Sequence, residues 1–217
     1  MSMKDIDNIL KKIEKKISVY EEPVVSRLKK KKSPFLILVS TLLSLRTKDE
    51  VTEVAQKRLF KLADNPEKLL KLDVELIEKT IYPVGFYKRK AKNLLNVAKF
   101  LIEKYDGKVP DNLEKLLEIP GVGRKTANLV LTEGFNLPGI CVDTHVHRIF
   151  NRIGYLKTKN ADETERILRE ILPKKWWIPV NNILVVFGQN ICKPISPFCS
   201  QCPIKEQCPA LMVKYRR

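Results

Sequence analysis

The sequence predicts an all-α protein. Apolar residues recur with helical spacing along nearly the whole chain, and the alternating pattern that indicates strands is almost absent. Proline, glycine, serine and aspartate interrupt the apolar stretches at short intervals, so we expect roughly ten short helices. The 217 residues contain no internal repeat and no low-complexity linker, which allows one large domain or two small lobes.

The first helices are recognised by their apolar faces and their starting residues. Residues 33–34, Ser-Pro, are predicted to open a buried helix with the sequence FLILVSTLLSL, and Asp49 lies near the start of the next helix. Residues 83–85, Pro-Val-Gly, separate two further helices. Two more helices have one apolar face each, formed by Ile6, Ile9, Leu10, Ile13 and Ile17, and by Val146, Ile149, Phe150 and Ile153.

A tight hairpin of two helices is predicted near the middle of the chain. Residues 110–117 indicate one helix, residues 119–123 a turn, and residues 124–132 a second helix. Gly121 and Gly123 flank one apolar residue in the turn, so the backbone can bend sharply and leave amide N–H groups unobstructed at a helix start. Together with the helix dipole, such amides can bind a phosphate.

The charge of the chain indicates a polyanionic partner. Lysine and arginine number 41 against 25 acidic residues, a formal net charge of +16. The sum favours nucleic acid over an acidic small molecule, and a membrane surface is a weaker alternative because no long helix joins a basic face to a broad aromatic one. The basic clusters, each either a solvated surface or a phosphate contact, are Arg27–Lys32, Lys88–Lys90, Arg124–Lys125 and Lys174–Lys175.

The N-terminal segment is amphipathic and charged. It lacks the apolar centre of a signal peptide, and no apolar run reaches the roughly 18 residues needed to span a bilayer. We therefore expect a cytoplasmic protein.

Four cysteines near the C-terminus have the spacing of a metal-cluster motif: Cys192, Cys199, Cys202 and Cys208. Structural zinc sites usually pair two short arms, each with two to four residues between its cysteines, across a longer gap, whereas here short unequal gaps join all four thiols. The spacing favours an iron–sulfur cluster over zinc, and both remain open at this point. The fifth cysteine, Cys141, lies in an apolar segment and is expected to be a core residue.

Lys125 and Asp143 are the candidate reactive residues. Lys125 falls in the first turn of the second hairpin helix, where the dipole favours a neutral, nucleophilic amine that can form a Schiff base with a sugar C1′. Position alone, however, favours a surface or phosphate-binding lysine. Asp143 precedes a helix, so an N-cap role accounts for it fully, although its carboxylate could stabilise an oxocarbenium-like sugar. His145 and His147 are the only histidines, too few for a histidine-rich metal site, and capping or core roles are expected.

Three motifs together resemble one known family. They are the string LEIPGVGRKTA at residues 117–127, the segment VDTHVHR at residues 142–148, and the four-cysteine spacing. From about Ser33 to Cys208, with every motif in family order, the chain is similar to endonuclease III, a family of helix-hairpin-helix DNA glycosylases. The resemblance implies a two-lobed, all-α fold with a C-terminal iron–sulfur cluster loop.

The two implied lobes use different parts of the chain. A helical-bundle lobe would span residues 27–137 and contain the helix-hairpin-helix at about 112–132. The second lobe would combine residues 1–26 with 138–217 and carry the cluster loop at 192–208. In this family DNA lies across the cleft between the lobes, and the damaged nucleotide is flipped out into a pocket.

The resemblance also implies a bifunctional reaction in base excision repair. Lys125 matches the Schiff-base nucleophile of the family, and Asp143 matches its catalytic carboxylate. The implied activity is excision of oxidised pyrimidines of the thymine glycol type, followed by β-elimination that nicks the strand 3′ to the abasic site. The implied partner is damaged double-stranded DNA, and no membrane is involved. The protein is expected to be a monomer and, in a prokaryote, to associate with the nucleoid.

Further site residues follow from the same resemblance. Arg46 occupies the position at which bacterial relatives place a glutamine that enters the gap left by the flipped base, and Phe86 stands where a leucine is common. Asp49 and His145 are implied to lie at the pocket. The other implied DNA contacts are Gly121, Val122, Gly123 and Arg124 of the hairpin, Tyr87 beside Phe86, and Lys193 and Lys205 of the cluster loop. Cys192, Cys199, Cys202 and Cys208 would ligate one 4Fe-4S cluster.

Two alternatives compete with this interpretation. A monofunctional uracil or thymine mismatch glycosylase of the same fold generally lacks the lysine, so Lys125 argues against it. A non-catalytic DNA-binding module would use its cysteines to hold zinc for folding only. The metal content of the purified protein separates the second alternative from the enzyme.

Overall fold

The chain folds into helices joined by short connections. The computed structural model describes residues 3–28 and 33–217, so residues 29–32 of the basic run that begins at Arg27 lie outside the described residues. No strand occurs in the described ranges, which confirms the all-α prediction. The helices are α1 (Met3–Ile17), α2 (Val24–Arg27), α3 (Pro34–Ser44), α4 (Asp49–Leu62), α5 (Pro66–Leu70), α6 (Val74–Ile81), α7 (Tyr87–Tyr105), α8 (Leu113–Glu118), α9 (Arg124–Leu129), α10 (Thr144–Arg152), α11 (Ala161–Ile171) and α12 (Val180–Asn190).

The chain divides into two compact units. The central unit is Val24–Leu137, and the terminal unit combines Met1–Pro23 with Pro138–Arg217. None of the helices in the described part of the chain is both long and apolar enough to cross a membrane.

In the central unit, α3 is the buried helix. Its start is fixed by Ser33, whose hydroxyl oxygen accepts a hydrogen bond from the Leu36 N–H at 3.4 Å, and by Pro34 in the first turn. Ile37 and Leu38 are fully buried, and burial of each such side chain stabilises the fold by about 1.5–3 kcal/mol. The helix packs against α4 and against a π-helical turn at Val130–Gly134. The longest helix, α7, packs against α5 and α6.

The predicted hairpin consists of α8, a tight turn and α9. The sequence predicts that the first helix begins at Pro110, but it begins at Leu113. The reason is that the Asn112 side chain accepts a hydrogen bond from the Lys115 N–H at 3.2 Å. Such a cap requires extended backbone at Asn112, which excludes the preceding residues from the helix. After Leu129 the chain continues directly into the π-helical turn.

The terminal unit has its own apolar core. The predicted face of α1 is buried and packs against α12, which also packs against α10. Phe150 of α10 and Phe187 of α12 are among the largest buried side chains. Asp7 joins α1 to the segment before α12, because its Oδ1 accepts a hydrogen bond from Trp176 Nε1 at 2.6 Å and its Oδ2 one from Lys175. These bonds, that from Lys175 first, lower the pKa of Asp7.

Candidate active site and nucleic-acid interface

The turn of the hairpin depends on its two glycines for different reasons. Gly121 has a φ of +78°, and a Cβ there would lie 2.6 Å from Asn93 Nδ2, so both backbone conformation and packing exclude a side chain. Val122 is buried and its N–H donates to the Ile119 carbonyl at 3.0 Å, which closes the turn from inside. Gly123 is exposed, and a Cβ there would meet nothing within 4 Å. The turn therefore presents bare backbone at Gly123, the N-cap of α9.

Lys125 lies in the first turn of α9, one residue beyond the exposed Arg124. It is half-buried, whereas the next residues, Thr126 and Ala127, are buried in the central unit. Asn128 Nδ2 donates to the Arg124 carbonyl at 3.0 Å and so braces this turn. The lysine thus stands at the edge of a packed helix, immediately after the glycine turn.

Arg46 and Phe86 are brought together by two loops of the central unit. The Arg46 guanidinium carbon lies 5.9 Å from the centre of the Phe86 ring. Both residues adopt left-handed backbone, with φ of 52° at Arg46 and 58° at Phe86, a conformation that side chains other than glycine rarely take. Phe86 nevertheless leaves 61% of its surface exposed. We call these two residues the Arg46–Phe86 pair.

Tyr87 and Asp49 lie close to this pair along the chain. Tyr87 begins α7, and its ring contacts that of Tyr82 edge-on, with the centroids 5.3 Å apart. Asp49 is the first residue of α4 and is half-buried, where a negative charge suits the helix dipole.

Lys90 contacts the loop of Arg46, which the sequence does not indicate. The cluster Lys88–Lys90 was expected to form one basic surface; Lys88 and Arg89 are exposed, but Lys90 turns inward. Its Nζ donates to the carbonyls of Leu43 and Leu45 at 2.7 and 2.6 Å and to Thr47 Oγ1 at 3.1 Å. The available signal was its helical spacing from the buried residues Leu94, Val97 and Leu101 of α7. Lys90 therefore belongs to the inner face of the helix.

Asp143 caps α10. Its Oδ1 accepts hydrogen bonds from the backbone N–H groups of His145 at 2.8 Å and Val146 at 2.9 Å. The N-cap role expected from the sequence is therefore present. Both bonds use the same oxygen, so Oδ2 lies outside the cap.

The two histidines pack within the terminal unit. The His145 Nδ1 lies 3.2 Å from Arg148 Nη2, and a Cβ on Gly188 of α12 would come within 2.4 Å of that Nδ1. The His145 imidazole thus occupies space that a side chain at position 188 would fill. His147 Nδ1 lies within hydrogen-bond distance, 2.7 Å, of Thr164 Oγ1.

The four C-terminal thiols line one cavity in the terminal unit, together with apolar residues and Arg152. Arg152 Nη1 donates to Cys192 Sγ at 3.5 Å, and the Ala210 N–H donates to Cys208 Sγ at 3.4 Å. Burial raises the pKa of Cys202 to about 11 and also raises that of Cys208, with the neighbouring thiols adding to both shifts. Thiolates at these positions therefore need a cationic partner.

The donor set at this cavity is four thiols. In the part of the chain that the structure describes, no three or more His, Cys, Asp or Glu side chains stand close enough to hold one metal ion. Iron–sulfur clusters are held by four cysteine thiolates and are tuned by hydrogen bonds to sulfur. The donor set and the N–H groups directed at sulfur thus suit a cluster.

Two lysines lie on the same loop as the thiols. Lys193 follows Cys192, and its Nζ lies 5.3 Å from the centre of the Phe198 ring. Lys205 is exposed at the start of the short 3₁₀ turn Lys205–Gln207. Both place positive charge beside the cysteines.

The described chain is helical, a two-glycine turn precedes one of its helices, and a loop with four thiols lies near its C-terminus. This is the architecture of a helix-hairpin-helix DNA glycosylase. A family model described as HhH-GPD superfamily base excision DNA repair protein matches residues 39–174. Endonuclease III of Thermotoga maritima is 49% identical over 179 residues, which cover 82% of this chain and 84% of the relative.

Solved structures agree with this match. A non-covalent endonuclease III–DNA complex superposes with a TM-score of 0.87 at 33% identity, covering 97% of this chain and 96% of the other. A trapped endonuclease III–DNA covalent intermediate gives a TM-score of 0.84 at 32% identity, with 97% of each chain covered. The chain belongs to the endonuclease III family of the HhH-GPD superfamily, which confirms the resemblance drawn from its motifs.

Proposed function

We propose that this protein removes oxidised pyrimidines of the thymine glycol type from double-stranded DNA and nicks the strand 3′ to the resulting abasic sugar. That it is a base excision repair DNA glycosylase with AP lyase activity follows from its family. The proposal rests above all on Lys125, a half-buried amine in the first helical turn after the hairpin glycines. The relative trapped as a covalent intermediate with DNA supports a nucleophile on the protein.

The proposed chemistry divides one difficult bond cleavage into two steps. Lys125 Nζ attacks C1′ of the damaged nucleotide, the base departs with the electrons of the glycosidic bond, and the sugar opens to a Schiff base on the lysine. Loss of a C2′ proton then expels the 3′ phosphate by β-elimination, and water releases the lysine from the remaining aldehyde. Asp143 would stabilise the oxocarbenium-like charge that develops at the sugar, through the oxygen that does not cap α10.

The proposed DNA interface uses backbone, charge and stacking. Backbone at Gly121 and Gly123 would approach a phosphate beside Arg124, and the buried Val122 would hold the turn in shape. The Arg46–Phe86 pair would occupy the space left by the flipped nucleotide. The remaining proposed contacts are Tyr87 near the gap, Asp49 and His145 at the pocket, and Lys193 and Lys205 on the phosphate backbone. The net charge of +16 supports binding to DNA. We further propose that the protein binds as a monomer and associates with the nucleoid in a prokaryote.

One 4Fe-4S cluster is proposed to be held by Cys192, Cys199, Cys202 and Cys208. When bound, it would supply structural closure of the loop rather than chemistry at the sugar. Arg152 would keep Cys192 in place, because its guanidinium also donates to the carbonyls of Lys193 and Pro194 at 2.7 and 2.6 Å. The loop lysines would thereby be held in a fixed position.

The cluster proposal predicts a yellow-brown protein. Anaerobically purified protein is expected to contain about four irons per chain, measured by elemental analysis together with zinc. Cys199→Ser should lose most of the iron, whereas Cys141→Ala, which changes a buried cysteine outside the cavity, should keep it. A colourless protein that contains zinc and no iron would contradict the proposal and favour the binding module.

Borohydride trapping tests the proposed activity. Duplexes containing thymine glycol, an abasic site or a uracil mismatch are incubated with the protein and borohydride, beside an undamaged duplex of the same sequence. A covalent adduct is expected on the first two duplexes and not on the undamaged one. If no adduct forms but later treatment with alkali cleaves the strand, the base was removed without lyase action, which would indicate a monofunctional glycosylase. Neither adduct nor base loss would indicate a binding module.

A further inference from the structure

The two loops that carry the Arg46–Phe86 pair are joined by one half-buried ammonium group. Lys90 comes from the first turn of α7, just after Phe86, and reaches the last turn of α3 and the loop at 45–48 that follows it. Its Nζ bonds the carbonyls of Leu43 and Leu45, immediately before Arg46, and the hydroxyl of Thr47, immediately after it. Lys90 therefore holds the chain on both sides of Arg46.

Thr47 extends the junction to the second loop. Its hydroxyl oxygen also accepts a hydrogen bond from the Gly85 N–H at 3.2 Å, and its own O–H donates to the Leu45 carbonyl at 3.3 Å. A Cβ on Gly85 would lie 2.7 Å from the Arg46 carbonyl oxygen, so the two backbones are in direct contact. Arg58 of α4 steadies the second loop by donating to the Tyr82 carbonyl.

The junction holds two residues in an unfavourable backbone conformation. Arg46 and Phe86 both have positive φ, a state that persists in residues with side chains only where the surroundings impose it. Their side chains are exposed and make a cation–π contact. An exposed contact of this kind is weak, so the orientation of the pair depends mainly on the backbone contacts beneath it.

The ammonium form of Lys90 matches its surroundings. Burial lowers the pKa of Lys90 to about 8, which leaves the group protonated at neutral pH. An ammonium has three N–H donors, and Leu43, Leu45 and Thr47 supply three acceptors. Methionine, of similar length but without donors, would leave the two carbonyls and the hydroxyl without this partner.

The same helix also contacts the hairpin. Asn93, three residues beyond Lys90 on α7, is the side chain that a Cβ at Gly121 would strike. Residues three apart on a helix share a face. One face of α7 therefore carries the contact to the loop of Arg46 and the contact to the glycine turn that precedes Lys125.

We propose that Lys90 is a positioning residue for nucleotide extrusion: its ammonium clamps the loop of Arg46 to the helix that follows Phe86 and so holds the Arg46–Phe86 pair ready to enter the DNA. This inference rests on the proposed function, because it requires the pair to fill the space of the flipped nucleotide. Lys90 itself touches neither the sugar nor the base. Its loss should impair extrusion and spare the reaction of a sugar that needs none.

Two substrates separate extrusion from chemistry. Lys90→Met is compared with wild type on a duplex with a paired thymine glycol, which must be extruded, and on a single-stranded abasic oligonucleotide, which is already unstacked. Excision from the duplex should fall by about 10- to 100-fold, the scale of a small misplacement of a positioning group. Cleavage of the single strand should stay within about 2-fold, well below that scale. 2-Aminopurine opposite the lesion should also brighten less with the variant than with wild type.

Lys99→Met is the matched control. It removes the same charge from an exposed position of α7 and should behave as wild type on both substrates. If Lys90→Met does not fold by circular dichroism, Thr47→Val removes the shared hydroxyl with little change of shape and should reproduce the selective loss.

The outcomes distinguish the inference from the function beneath it. Equal losses of Lys90→Met on both substrates, or wild-type excision from the duplex, would overturn the positioning role. Wild-type protein that neither excises thymine glycol nor cleaves the abasic strand would instead overturn the proposed function.

Discussion

Lys125→Gln is expected to abolish the borohydride-trapped adduct on both thymine glycol and abasic duplexes. An amide nitrogen is not nucleophilic, so neither the attack on C1′ nor the Schiff base can form. Strand cleavage should fall by about 10³-fold or more, as when a nucleophile is removed from other enzymes. DNA binding should change little, because the glycine turn and Arg124 remain and glutamine fits a half-buried helical position. Adduct yield, cleavage rate and DNA affinity measured on one preparation test all three expectations.

Lys115→Gln provides the control for this change. Lys115 is an exposed lysine on α8, the other helix of the hairpin, so its replacement alters the charge of the same region. It should still give the adduct at the wild-type yield. An adduct that survives in Lys125→Gln would mean that another amine is the nucleophile.

Asp143→Asn should slow base excision by about 10²- to 10³-fold while the fold stays intact. The asparagine Oδ1 can accept the same two hydrogen bonds, from the N–H groups of His145 and Val146, that Oδ1 of Asp143 accepts now. Asparagine and aspartate are equally good N-caps, so the start of α10 is kept. What is lost is the negative charge that would stabilise the sugar cation, and loss of one such group typically has this effect on rate. Single-turnover excision and thermal unfolding measure the two properties separately.

Asp143→Ala separates the cap from the charge. It removes both, so it should show a similar rate loss and, in addition, lower the free energy of unfolding by about 1 kcal/mol. If Asp143→Asn instead lowers the melting temperature as much as Asp143→Ala does, and excises the base at the wild-type rate, Asp143 is only a structural cap.

Features set by local interactions were predictable from the sequence. The apolar faces of α1 and α10 are buried as their spacing indicated, because helical periodicity alone decides which side chains share a face. Ser33 and Asp143 cap their helices because each acts on N–H groups two or three residues away. The predicted start of α8 at Pro110 is wrong for a comparable local reason, because Asn112 rather than Pro110 marks the start of the helix.

Features set by long-range contacts were not predictable. Lys90 reads as part of a basic surface cluster, and only its bond to a carbonyl 47 residues away in sequence reveals the inward orientation. The contact between Arg46 and Phe86 likewise joins two loops, each with a left-handed residue that local preference disfavours. Gly188 is required by an imidazole on another helix.

The sequence by itself determined the all-α class, the family, and the residue types that carry the proposed chemistry, Lys125, Asp143 and the four cysteines. These features depend on residue spacing and residue chemistry, so they can be recognised without knowledge of the folded chain. Only the tertiary structure decided which lysine of 88–90 turns inward and how Arg46 meets Phe86. The physical reason is that burial and hydrogen-bond partners from distant segments, rather than local preference, set the orientation of a side chain.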